Sequence, residues 1–137
     1  MRRALERGHK ALRIAAVTTL VKIVKSSKNV ALRAAAIPII GENGEFDETL
    51  EFLDELLASE IEPKILVATS KALWDLDNLP KAKKKLLALL GSRDPAVKTE
   101  AALALAEIDY FEGDVRNILR RLKREPTDRG RLAEALL

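Results

Sequence analysis

The chain has 137 residues, 47% of them hydrophobic but only 4% aromatic, with a formal net charge of +3. That length fits one domain, and an apolar content drawn mainly from Ala and Leu favours helix throughout. With no cysteine, disulfides, thiolate catalysis and Cys-ligated zinc are excluded.

The first segment, "MRRALERGHKALRIAAVTTLVKIVKSSK", places positive charge before apolar residues, as a secretory signal does. Lys22 interrupts its apolar run and no small-residue cleavage site follows, so a signal peptide is not expected. No stretch approaches the ~20 apolar residues of a membrane span, and a cytoplasmic protein without membrane contact is the expectation. "RRALERG" reads as the tail of a truncated helix, His9 as a turn residue, and 10–26 as the next helix.

Further along, the apolar spacing predicts helices near 29–42, 46–59, 62–76, 80–91, 94–108 and 112–125. Asn29, Glu62 and Asp94 stand at three of the starts, where a side-chain oxygen can cap free amide groups. Pro63 and Pro95 follow two of them, at the position where a missing N–H costs nothing. Pro38 falls inside a helix, where it removes one backbone bond and predicts a bend. "DRGRLAEALL" at 128–137 reads as the opening of another helix.

These elements repeat. Leu32, Ile65 and Val97 share a register, as do Ala36, Thr69 and Ala101, and Ile40, Leu73 and Leu105, at intervals of 33 and then 32 residues. The intervening helices follow the same register through Leu20, Leu53, Leu86 and Ile118, then Val24, Leu57, Leu90 and Leu122. Phe46, Leu79 and Phe111 coincide as well. Such a period is the signature of a helical-repeat protein whose modules bury their apolar faces against each other.

The segment "DPAVKTEAALALAEI", with Asp94-Pro95, Val97-Lys98, Ala101-Ala102, Ala104-Leu105 and Ile108, resembles the first helix of a HEAT repeat of the phycobilisome-lyase type. Leu32-Arg33, Ala35-Ala36, Ile40 and Gly41-Glu42 are similar in the unit near 29–61, while Trp74, in the unit between, departs from the usual small residue. The resemblance implies an all-α fold, a right-handed α-solenoid of about four HEAT-like helix pairs with partial helices at both ends. One repeat domain over 1–137 would hold units near 1–28, 29–61, 62–93 and 94–127, with a fifth beginning at 128. It implies no particular activity, since such scaffolds host many roles.

Charge is distributed in blocks: nine bases and one acid over 1–33, nine acids and no base over 34–62, eight bases and three acids over 63–99. The acidic helix with Glu48, Glu51, Asp54 and Glu55 is expected to lie between Lys22/Lys25 and Lys81/Lys84/Lys85, with mutual neutralisation as the plain reading. The sharper reading is a basic strip of Lys81, Lys84, Lys85, Arg120, Arg121 and Arg124 able to meet phosphate. No aromatic interleaves it, so stacking of single-stranded bases lacks support.

Candidates for chemistry are few. His9 is the single histidine, and neither a metal site nor a triad with Ser26 or Ser70 finds the partners it needs. Asp75, Asp77 and Asp109 read as helix-end residues. The alkylpurine DNA glycosylases, a HEAT-like enzyme family, combine a catalytic Asp with groove aromatics, and this chain lacks that aromatic set. No catalytic residue, cofactor site or metal site is therefore expected. Trp74, with Leu66 and Val67, forms a second apolar face opposite the core stripe, read either as packing against flanking repeats or as a partner-binding or self-association patch. The expected function is a non-catalytic protein-binding scaffold, with nucleic-acid binding through the basic strip as the alternative.

Overall fold

Helix propensity and the period together predict an all-helical chain, and the computed structural model, which describes the backbone of residues 2–137 and side chains from Glu6 onward, is one. Among the described residues there are eight helices and no strand: α1 Arg2–Ser26, α2 Val30–Asn43, α3 Phe46–Ser59, α4 Pro63–Asp77, α5 Pro80–Leu90, α6 Pro95–Glu107, α7 Val115–Leu122 and α8 Asp128–Leu136. Met1 lies outside the described residues.

The largest departure from expectation is at the start. The tail, turn and helix expected over 1–26 are one continuous helix, α1. His9 is therefore an exposed helical residue rather than a turn residue. Gly8, the only residue arguing for a break, sits with open space around it; the helix absorbs it at about 1 kcal/mol relative to Ala. Elsewhere the starts behave as chemistry dictates. The Asn29 side chain accepts from the Leu32 amide at 3.1 Å, and the Asp94 side chain from the Ala96 amide at 3.0 Å. Glu62 makes no such side-chain cap; instead its own amide donates to Glu60 Oε1 at 3.1 Å. The α2 helix runs unbroken through Pro38, which faces solvent.

The chain forms two compact units, 1–78 and 79–137. In the first, α1 packs on α2, α2 on α4, and α3 on α4. Ile37 and Ile40 of α2, Leu53 of α3, and Ile65 and Leu73 of α4 are all but inaccessible to water. Each such side chain contributes roughly 2 kcal/mol of burial. Where α2 meets α4, a Cβ at Gly41 would stand at an ordinary contact distance, 3.6 Å, from the Ala72 Cβ. Thr69, buried in α4, donates its hydroxyl to the Ile65 carbonyl at 2.7 Å, so its polarity is satisfied within its own helix.

In the second unit, α5, α7 and α8 each pack on α6, and α7 also packs on α8. Ala101, Ala102, Leu103, Ala104, Leu105 and Ala106 are buried without a gap. A helix apolar on all sides belongs inside, and its small alanines let neighbours come close. Asp109 and Gly113 adopt left-handed backbone (φ 63° and 61°) in the connection after α6, which turns α7 back onto it. Gly130 of α8 sits so tightly that an added Cβ would meet the Glu125 carbonyl oxygen at 2.1 Å.

The packed hairpins are therefore α1/α2, α3/α4, α5/α6 and α7/α8, in each case a second helix of the sequence repeat with the first helix of the next. Within unit one, α2 and α3, which the period pairs, do not pack closely on one another. In unit two the period pair α6 and α7 does pack, so the shift of phase belongs to unit one.

Candidate functional site

The most distinctive surface follows from that phase shift. Because α1 closes on α2 while α3 closes on α4, α1 and α3 flank α2 without packing closely on each other. The space between them is a trough of two overlapping clefts of about 420 and 450 Å³, which share Val17, Thr18, Glu45 and Glu48 in their lining. Ile14, Val17 and Val21 of α1, Ile40 of α2, and Phe46 and Phe52 of α3 supply its apolar surface. Ile14 and Phe46 are nearly half exposed, at 49% and 48%.

The walls are opposite in sign. Every charged residue lining the trough from α1 is basic: Lys10, Arg13, Lys22 and Lys25. Every one lining it from α3 and its N-cap is acidic: Glu45, Glu48, Glu51 and Glu55. Helical spacing explains this, since Lys10, Ile14, Val17, Val21 and Lys25 recur at three or four residues and share one face. At one end Lys10 Nζ reaches Glu45 Oε1 at 3.8 Å, both side chains well exposed. At the other, Lys25 Nζ stands 5.7 Å from the Phe52 ring centroid. Among the described residues Lys22 and Lys25 make no ion pair with Glu48, Glu51 or Glu55. Between the lining charges of these helices the closed pair is Lys10 with Glu45, and Lys22 and Lys25 face Glu48, Glu51 and Glu55 across the trough.

Below the trough a clamp fixes the helix ends. Arg33 donates through Nε to the Val24 carbonyl at 2.7 Å and through its guanidinium to Glu60. Both side chains are largely buried. The Arg33 hydrogen bond holds the Glu60 carboxyl below its ordinary value near 4.5, outweighing the upward push of burial.

The residues singled out from sequence fare differently. Leu66 and Val67 are buried, at 6% and 8% exposure, and Trp74 is half-buried. The three do not make an open patch; the second apolar face of α4 is covered within the folded chain. Of the basic strip, Lys81, Lys84, Arg120, Arg121 and Arg124 face solvent and Lys85 is half-buried. Their helices α5 and α7 both rest on α6 and do not pack closely together. A cleft of about 670 Å³ instead brings Arg121 beside Arg93, Lys98 and Glu125, with Lys98 Nζ 3.4 Å from Asp114.

His9 is exposed on α1, Ser70 is buried in α4, and the Ser26 hydroxyl donates to the Lys22 carbonyl at 2.6 Å. Asp75 pairs with Lys71 at 2.9 Å one turn earlier in its helix, and Asp109 takes the left-handed turn that ends α6. Among the described residues no cluster of His, Asp or Glu is arranged to hold a metal ion, and no helix is long and apolar enough to cross a membrane.

Comparison with protein-family models, with curated proteins and with solved structures returns no match.

Proposed function

We propose that the chain is a non-catalytic scaffold, a right-handed stack of HEAT-like helix pairs that holds another protein in the trough between α1 and α3. The 32- to 33-residue register and the packing of sequence neighbours within each unit support the repeat reading. The trough carries the functional one. An apolar floor of Val17, Val21 and Phe52, each half-buried, between walls of opposite charge is costly to leave facing water and offers a partner both burial and steering.

The basic residues of α5 and α7 give the competing reading of nucleic-acid binding. Two measurements separate them. A photo-cross-linking side chain at Val21 is expected to yield a discrete protein adduct in the cells that make this chain. The same side chain at Ala58, exposed on α3 and outside the lining, is expected to yield none. Titration of random duplex DNA at low salt should show no binding. Affinity for DNA that falls steeply with salt and disappears in Lys84→Glu/Arg120→Glu would move the function to the second reading.

A further inference from the structure

Building on that scaffold reading, we propose that the occupant of the trough is a single amphipathic helix whose two edges carry opposite charge. Its apolar stripe lies along Ile14, Val17, Val21, Phe46 and Phe52, its acidic edge faces the α1 bases, and its basic edge faces the α3 acids.

The walls themselves argue for a helix. Both are α-helices whose backbone amides and carbonyls are spent internally, so they have no ladder of hydrogen bonds to offer an extended peptide. A helix satisfies its own backbone and needs only side-chain contacts. The acidic wall from Glu45 to Glu55 spans about 15 Å at 1.5 Å per residue, enough for roughly three helical turns.

Charge then selects the kind of helix. All four lining charges on α1 are positive and all four on the α3 side are negative. A uniformly acidic helix gains at α1 and is repelled at α3; a uniformly basic one suffers the reverse. The same repulsion from α3 disfavours a polyanion such as nucleic acid here. Only a helix with apolar positions flanked by acids on one side and bases on the other meets both walls, as in a heptad with opposite charges at e and g. Because reversing such a helix exchanges its edges, the sign of each edge also fixes the direction in which it lies.

The test uses the full chain and three labelled synthetic helices of about three heptads. They share one Leu/Ala stripe and differ only in their edges: acid/base, acid/acid and base/base. Fluorescence anisotropy is expected to give the acid/base helix roughly tenfold tighter binding than either of the others. Lys10→Glu/Arg13→Glu/Lys22→Glu/Lys25→Glu, all exposed positions, makes both walls acidic and should transfer the preference to the base/base helix, with circular dichroism unchanged. Equal affinity for all three helices, no binding of the acid/base helix, or a preference that ignores the wall reversal overturns the proposal. So does a concentration-dependent dimer that the same variant dissolves, since the trough would then belong to a second copy. A Val21 adduct to a protein without edge selectivity would sink the helix assignment alone. Absence of both would sink the scaffold reading with it.

Discussion

The two units are built from the same repeat, yet one leaves a trough between its outer helices and the other closes around a central helix. In residues 1–78, α2 buries only Ala36, Ile37 and Ile40, and α1 and α4 pack on it while α3 packs on α4. In residues 79–137, α6 buries six residues in succession and carries three helices. The connections account for the difference. Between α2 and α3 the chain spends only Gly44 and Glu45, and α3 is delivered onto α4. Between α6 and α7 it spends residues 108–114, with two left-handed turns that swing α7 back. The short connection thus leaves α3 off α2, while the long one brings α7 back onto α6.

The largest effect should come from the closed unit. Leu105→Ala, at a side chain wholly shielded from water in α6, is expected to cost about 3 kcal/mol, read as a lowered urea midpoint. Because three helices depend on α6, the amide exchange protection of α5, α7 and α8 should fall together. If only α6 loosened, the picture of a shared central helix would fail.

A smaller effect tests the short connection. A Cβ at Gly44 would lie 2.1 Å from Thr49 Oγ1 and 3.0 Å from the Ile40 carbonyl oxygen, though its backbone (φ −77°, ψ 160°) suits any residue. Gly44→Ala is expected to cost about 2 kcal/mol through overpacking. Thr49→Ala in the same chain should recover much of that loss, since it removes the atom struck. Gly113 offers the converse: open space around it but φ 61°, so Gly113→Ala should cost about 1 kcal/mol, with no second-site rescue. A rescue pattern that did not differ between the two glycines would remove the distinction drawn here.

The smallest effect is confined to acid. Glu60 is held below its ordinary value by Arg33, so its stabilisation of the first unit is complete above about 4.5 and lost as pH falls through the lowered folded value. Across that window the wild-type urea midpoint should drop more steeply than that of Glu60→Gln. Parallel acid limbs would show that the clamp contributes nothing to unit one.

Legibility varied along the chain for identifiable reasons. The period, the helix count from α2 onward and the cap at Asp94 follow from local chemistry, and α3 falls on 46–59 as its apolar spacing predicts. The break expected near His9 failed because helix continuity over-rides a single glycine when nothing else competes. The opposite charges of 1–33 and 34–62 were visible as composition, but the trough between them was not. Its existence depends on α1 choosing α2 and α3 choosing α4, and no residue pattern within either helix encodes that choice. Trp74, conspicuous as a residue type, is half-buried, while Phe52 and Val21, ordinary in sequence, line the trough.

What the sequence alone determined was which segments are helical, which faces are apolar and where each sign of charge resides, because these arise from spacing at 3.6 residues per turn. The tertiary structure alone decided which helices pair, and with that which apolar face is covered and which lies open between charged walls. Pairing is set by turn length and by how closely backbones can approach at the α6 alanines, quantities that exist only between segments and not within them.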